Sequence, residues 1–206
     1  MNVSTEFLST RAPTPGDAEA VAGLLNLCAV AERGTWLMTV EQVRVAWTSS
    51  GFQPATDAWL LATPAGAVVG YVELWQRGDT AYSRACVHPE YVGRGLGTAL
   101  VHWAEDRARQ SRLIRTLRVG VAAGNAAARR LLHREGYSPA GRFWLAEGAF
   151  GRVSCLPEWL DSLDSLAIRP GLDDDRLGVR FDVFEKVLQS GLRGRAARQA
   201  QWSAGW

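Results

Sequence analysis

The chain carries the sequence CVHPEYVGRGLGTAL at residues 86–100, where three local patterns follow one another without a gap. An apolar strand pattern ends at Pro89, and glycines then alternate from Gly93 to Gly97. An amphipathic helix pattern begins at Leu96. Glycine lets the backbone approach a ligand closely and adopt positive φ. The first N–H groups of a helix have no partner within it and lie at the positive end of its dipole. Together these features predict an anion cradle suited to a phosphorylated cofactor.

The glycine spacing narrows the kind of cofactor. A P-loop requires a lysine after its last glycine, and none follows Gly97. A dinucleotide fingerprint reads G-x-G-x-x-G, but Thr98 stands where the last glycine belongs. That fingerprint also opens a βαβ unit, whereas this loop lies in the middle of the chain. A glycine-rich turn without a ligand is the alternative interpretation.

A second segment, residues 120–137, reads GVAAGNAAARRLLHREGY. Asn125 is typical of a helix N-cap, and Gly136 of a left-handed C-cap. The two segments resemble, in the expected order, the signatures R/Q-x-x-G-x-G/A and N-x-x-A-x-x-L-Y-x-x-x-G-F/Y of the GCN5-related N-acetyltransferase (GNAT) family. Val92 replaces the first Arg or Gln, and Leu132 replaces the tyrosine that often serves as general acid in the family.

Element patterns and the resemblance imply the same α/β fold class. The apolar periodicity predicts the order β-α-α-β-β-β-α-β-α-β, with a mixed, mostly antiparallel sheet flanked by helices. The predicted acetyltransferase domain covers residues 5–150. Residues 151–206 form a C-terminal extension that either packs on the sheet or is a truncated second repeat, as in tandem members that include mycothiol-synthase-like proteins. In this extension the apolar run Phe181–Leu188 looks helical.

Composition is that of a soluble globular protein. The chain has 206 residues, 47% hydrophobic, and a net charge of +2, so neither nucleic acid nor a membrane is an expected partner. The three cysteines are widely spaced, which disfavours a disulfide framework or a metal site and fits a reducing cytoplasm. Cys28 and Cys86 fall in apolar patterns and are expected to be inert core thiols. A homodimer is one candidate assembly.

The resemblance implies direct transfer of an acetyl group from acetyl-CoA, as co-substrate, to an amine of a small molecule or peptide. It also implies backbone amides near Cys86 and Val87 that hold the thioester carbonyl. The rival hypothesis is a non-catalytic acyl-CoA-binding module or a remnant of a tandem enzyme. The expected cofactor-binding residues are Cys86, Val87, Val92, Gly93, Arg94, Gly95, Leu96, Gly97, Thr98, Asn125 and Ala128.

The catalytic groups are less clearly marked. Glu73 lies in a central apolar run, where a carboxylate among apolar neighbours could serve as general base; a solvent-facing Glu73 is equally compatible with the sequence. Tyr82, His133 or solvent could protonate the thiolate. Histidine is a common acid or base in enzymes, but a loop role is the better interpretation for His88.

Aromatic residues suggest the acceptor pocket. In this fold the pocket lies between the first two helices and the last strands, where Trp36, Trp75 and Trp144 could form its walls. Core packing is the alternative for each tryptophan. The polar face of the helix that begins at Leu96, residues 105–109, is expected to be solvated.

Overall fold

A computed structural model describes residues 8–32, 38–145 and 179–188. Its strands form one seven-stranded sheet in the order β1-β2-β3-β4-β5-β7-β6. Pairing is antiparallel throughout except between β4 and β5, which run parallel. The strands are β1 (Ser9–Arg11), β2 (Ala58–Ala62), β3 (Val68–Arg77), β4 (Thr80–Val87), β5 (Thr116–Ala122), β6 (Ser138–Leu145) and β7 (Val179–Val187).

Helices cover both faces of the sheet. The helices are α1 (Ala18–Ala31), α2 (Val40–Thr48), the single turn α3 (Pro54–Asp57), α4 (Leu96–Gln110) and α5 (Ala126–Arg134). One apolar cluster joins α1 and α2 to the sheet, and a second joins α4 and α5 to the opposite face. The predicted element order is therefore confirmed, with α3 and β7 as additions.

Local sequence signals set several of these boundaries. Thr39 and Gln42 form a capping box at the start of α2, and the Asn125 side chain accepts a hydrogen bond from the Ala128 amide at the start of α5. Gly136 follows α5 with φ +83°, the left-handed conformation that glycine adopts without strain.

The structure corrects the helical interpretation of residues 181–188. Residues 181–187 belong to strand β7, which lies between β5 and β6 and pairs with both. Aromatic and β-branched residues supply both helix-like and strand-like patterns in so short an apolar run, and tertiary pairing selects the strand. Whether residues 151–206 are a truncated repeat stays a prediction.

A second correction concerns the outer face of α4. Glu105 is not solvated but 2% exposed, and its carboxylate lies 2.6 Å from both Arg109 Nη2 and Lys186 Nζ. Lys186 belongs to β7 and also donates to the carbonyl of Glu135. Burial of Glu105 follows from β7, since the strand brings its lysine against the helix.

Candidate active site

A cleft opens between the two parallel strands. Strand β4 is paired with β3 as far as Val87, but its register with β5 ends at Ser83. Beyond Ser83, no ladder joins β4 to β5 within the described part of the chain. Ala85 is exposed, although it lies in a strand at the middle of the sheet. The cleft is therefore bordered by backbone that has no strand partner on that side.

The register also shows which amides face the cleft. The His88 amide donates to the Val69 carbonyl on β3 at 2.9 Å, and N–H directions alternate along a strand. The Cys86 amide therefore points toward β3, whereas those of Ala85 and Val87 point into the cleft. Sequence analysis named Cys86 and Val87 but missed Ala85, because only the pairing register distinguishes them.

The glycine loop next to this cleft has the conformation of an anion cradle. Gly93 and Gly95 have φ +85° and +84°, and Gly95 is the N-cap of α4. A Cβ added to either residue would meet nothing within 4 Å, so the space above both is open. The first amides of α4, at Leu96, Gly97 and Thr98, have no intrahelical carbonyl to bond. These residues fit a ligand that carries a pyrophosphate.

The other residues of the loop have distinct surroundings. Val92 is 54% exposed, and because its side chain is apolar only its backbone could bond to a ligand. The Arg94 guanidinium lies 4.8 Å from the Tyr91 ring centroid. Gly97 faces α5, where an added Cβ would lie 3.1 Å from a methyl carbon of Leu131. The absence of a side chain at Gly97 thus allows α4 and α5 to pack closely.

The second signature segment lies across the cleft. Asn125 uses its Oδ1 to cap α5, while its Nδ2 donates a short hydrogen bond to Glu32 at the end of α1. Ala128 is partly buried against the α4-side core. Leu132 is 2% exposed and belongs to that same core. Sequence analysis did not single out Glu32, since its partner is far away in the chain.

Glu73 is buried rather than solvent-facing. It is 1% exposed, and its Oε1 lies 2.8 Å from Arg84 Nη2. The Tyr71 hydroxyl donates to its Oε2 at 2.8 Å and accepts from Trp47 Nε1 at 2.9 Å. Burial, and secondarily the Glu73 carboxylate, raises the pKa of the Tyr71 phenol well above its usual value. The phenol therefore stays a hydrogen-bond donor at neutral pH.

The two side chains proposed to supply a proton, Tyr82 and His133, and the loop residue His88 lie in different places. Tyr82 is 1% exposed and in register with Arg118, at the paired end of β4 and away from the open end of the cleft. His88 caps the turn after β4, with its Nδ1 accepting from the Glu90 amide. The ring of His133 on α5 packs edge-on against Phe184.

Of the predicted acceptor residues, Trp75 lies in the core. It is 4% exposed and stacks on Phe52 with a centroid distance of 4.2 Å. Trp36 lies outside the described residues. Trp144 pairs with Arg180 through the strand backbone, and its side chain lies outside what the structure describes.

Among the described residues, no helix is long and apolar enough to cross a membrane. No group of three or more His, Cys, Asp or Glu side chains in residues 8–32, 38–145 and 179–188 is placed to hold a metal ion.

Comparison with known proteins agrees with this geometry. The sequence profile of the Acetyltransferase (GNAT) family matches residues 21–137. No curated protein matches the sequence significantly. A GCN5-related N-acetyltransferase from Sphaerobacter thermophilus is 30% identical with a TM-score of 0.62, covering 66% of this chain and 45% of its own. This chain thus spans less than half of that relative.

Two more distant structures share the fold over most of both chains. A proposed acetyltransferase from Salmonella typhimurium, solved with its cofactor acetyl-CoA, is 19% identical with a TM-score of 0.60 and covers 92% of this chain and 98% of its own. The ribosomal-protein-S18-alanine N-acetyltransferase from Escherichia coli is 16% identical with a TM-score of 0.60, covering 91% and 99%. With the family profile matched over more than half of its length, the chain belongs to the GNAT acetyltransferase family.

Proposed function

We propose that this protein transfers an acetyl group from acetyl-CoA to an amine of a small molecule or peptide. The observation that carries the proposal is the cleft, whose free strand amides at Ala85 and Val87 lie next to the glycine cradle at the start of α4. A phosphate site and an open strand edge together suit a ligand with a charged head and an extended, amide-bearing arm.

Each part of this surface has a separate role in binding. The α4 amides and the positive-φ turns at Gly93 and Gly95 would hold the pyrophosphate. The pantetheine arm would lie along the open edge of β4 like an added strand. The Ala85 and Val87 amides point to where the thioester carbonyl would lie, and would stabilise negative charge that develops on its oxygen.

Acetyl-CoA supplies the activated acyl group, so the remaining task of the protein is to assist the proton transfers. The acceptor amine has to lose a proton, and the departing thiolate gains one. The sequence predicts Glu73 as the general base, but its buried carboxylate already holds Arg84 and Tyr71. Tyr82, His133 and solvent remain the candidate proton donors.

The proposed class of acceptor, an amine, is the one that the family uses. Structural neighbours include an alanine N-acetyltransferase and a spermidine N-acetyltransferase chimera, so this fold accommodates both peptide and polyamine acceptors. Trp36 and Trp144 remain candidate walls of the acceptor pocket. Both keep the role that the sequence suggested for them.

A second function is favoured by one observation. Leu132 stands at the position where the family often has a tyrosine that serves as general acid, and it is buried in the core. A protein without that acid could bind acyl-CoA and not catalyse transfer. Both functions require acetyl-CoA binding, and catalysis alone requires release of free thiol.

One experiment separates the two functions. Release of free CoA thiol is followed with acetyl-CoA and a panel of putrescine, methionine and a short peptide with a free N-terminus. Thiol release that depends on an amine supports the transferase. Tight acetyl-CoA binding without release with any of these amines supports the binding module.

A further inference from the structure

The end of α1 carries a carboxylate where a helix least favours one. Glu32 is the C-cap of this 14-residue helix, and its backbone N–H donates to the Cys28 carbonyl. The carbonyl end of a helix bears partial negative charge, so acidic side chains are destabilising there. A residue that violates a local preference in this way marks a candidate functional position.

Two contacts place this end of α1 over the open end of the cleft. Cys28, one turn before Glu32 on the same helix face, directs its thiol to the Val87 carbonyl at 3.3 Å, at the last residue of β4. Glu32 itself accepts the hydrogen bond from Asn125, which follows β5. The helix end therefore contacts the last residue of β4 and the segment that follows β5, and Glu32 lies at the end of the cleft where the two strands are no longer paired.

The environment of the carboxylate suits a group that gains and loses a proton. Glu32 is half-buried, and Asn125 bonds to its Oε1. Within the described part of the chain, Oε2 has no hydrogen-bond partner. Burial raises the pKa of Glu32 above its ordinary value, partly offset by the Asn125 amide. Glu73, by contrast, is fully buried, with Oε2 hydrogen-bonded to Tyr71 and Oε1 paired with the Arg84 guanidinium.

We propose that Glu32 is the general base that removes a proton from the acceptor amine at the mouth of the cleft. This inference rests on the proposed acetyl transfer. Asn125, which sequence analysis assigned to cofactor binding, then acts as a positioning residue that orients the carboxylate.

The proton and bond changes balance as follows. The acceptor ammonium gives one proton to Glu32 Oε2 and becomes a neutral amine. Its nitrogen forms the C–N bond to the acetyl carbon as the C–S bond breaks, and a second proton passes from nitrogen to the thiolate sulfur. One hydrogen stays on the amide nitrogen, and Glu32 returns its proton to water.

The test compares Glu32→Gln with Glu19→Gln, an exposed glutamate on the same helix. Glutamine can still accept the Asn125 hydrogen bond, so fold and acetyl-CoA affinity should be kept. With the fastest amine of the panel, kcat should fall about 100-fold in Glu32→Gln and stay unchanged in Glu19→Gln. The deficit should shrink at high pH, where the amine is already neutral in solution.

Other groups near Glu32 must be separated from it in the pH profile. They are the thiols of Cys28 on α1 and Cys86 on β4, His88 in the turn after β4, and Arg129 on α5. His88→Gln is therefore measured in parallel, since histidine can act as an acid or base in enzymes. The acid limb of the kcat profile should persist in His88→Gln and disappear in Glu32→Gln.

Unfolding measurements give a readout that needs no substrate. With a raised folded-state pKa, the wild type binds more protons folded than unfolded just above the ordinary glutamate pKa, so its stability falls as pH rises there. Glu32→Gln has no such titrating carboxyl, so its free energy of unfolding should rise relative to that of the wild type as pH increases. A wild type that instead gains stability over Glu32→Gln with rising pH would contradict a desolvated base.

The kinetic outcomes are distinguishable. An active wild type with an equally active Glu32→Gln would overturn the role of Glu32 and leave acetyl transfer intact. A wild type that releases no thiol with any amine would overturn the proposed function and this inference together. A Glu32→Gln deficit that is the same at every pH would indicate a structural role and would also overturn the proposal.

Discussion

Glu73 shows how a single charge is tolerated inside the sheet. Its carboxylate forms an ion pair through Oε1 with Arg84, directly across the strand pair, and accepts a hydrogen bond from Tyr71 at Oε2. A buried ion pair of this kind contributes little net stability, but removal of one partner leaves the other charge in a poor environment. The role of Glu73 in catalysis must therefore be tested apart from its role in folding.

A double-variant comparison achieves that separation. Glu73→Gln should lower the free energy of unfolding by about 3 kcal/mol, because Arg84 loses its carboxylate partner. Glu73→Gln combined with Arg84→Met should recover much of that loss, as chemical denaturation would measure. With Glu32 as the base, the double variant should be stable and turn over at close to the wild-type rate. A stable double variant that is about 100-fold slower than the wild type would return the role of base to Glu73.

Leu132 is the second residue whose surroundings give a clear expectation. Since it packs in the core, Leu132→Tyr should cost about 1–3 kcal/mol through overpacking, with no gain in turnover. Leu113→Tyr is the matched control, because Leu113 is 69% exposed. A Leu132→Tyr variant with an unchanged thermal midpoint and a faster rate would show that this position faces the CoA sulfur.

For single residues, the sequence predicts backbone conformation better than it predicts ion-pair and hydrogen-bond partners. Gly93 and Gly95 were identified because positive φ is a local requirement that leaves a local signature. The partners of Glu73, Glu105 and Glu32 are set by tertiary contacts, and no spacing in the sequence shows them. The exposure of their carboxylates could not be predicted for that reason.

Among the elements, β7 and α4 are joined by one group of charges. Glu105 on α4 is buried between Arg109 of its own helix and Lys186 of β7, and Lys186 also lies over the Tyr137 ring at 5.3 Å from its centroid. Burial, and next the Glu105 carboxylate, raises the pKa of Tyr137 far above its usual value. The strand is thus joined to the helix by the ion pair between Lys186 and Glu105.

Lys186→Met tests this connection. Loss of the cation leaves Glu105 with Arg109 alone, and unfolding free energy should fall by about 3 kcal/mol. Hydrogen exchange of the β7 amides should accelerate. Lys186→Arg keeps the charge and should retain most of the stability. Equal thermal midpoints for Lys186→Met and the wild type would show that the pair does not hold β7 in place.

The elements were predictable where periodicity was long. The helices α1 and α4 and the β2–β3 hairpin followed from apolar spacing and turn residues. Strand β7 did not, because its short apolar run fits either structure and its two neighbours are distant in sequence.

Strand β7 makes the seven-stranded sheet continuous. Strand β6 reaches the rest of the sheet through β7, which separates it from β5. The cleft that we assign to acetyl-CoA borders β5, so support for β5 also supports the site.

Truncation after residue 150 tests that dependence. The shortened chain keeps both signature segments but loses β7, and β6 and β5 each lose a strand partner. We expect it to lack the cooperative thermal transition of the full chain, as circular dichroism would record. A truncated chain that melts cooperatively at the same temperature would show that residues 5–150 fold as an independent domain.

We assign acetyl-CoA binding to the glycine cradle beside the open edge of β4. Isothermal titration calorimetry with acetyl-CoA should show binding to the wild type and none to Gly95→Asp, because a side chain and a negative charge would enter the cradle. Gly66→Asp is the matched control, since Gly66 has φ +85° in the β2–β3 turn and equally open surroundings. It should bear a similar backbone strain and bind normally. A folded Gly95→Asp with unchanged acetyl-CoA affinity would contradict the claim.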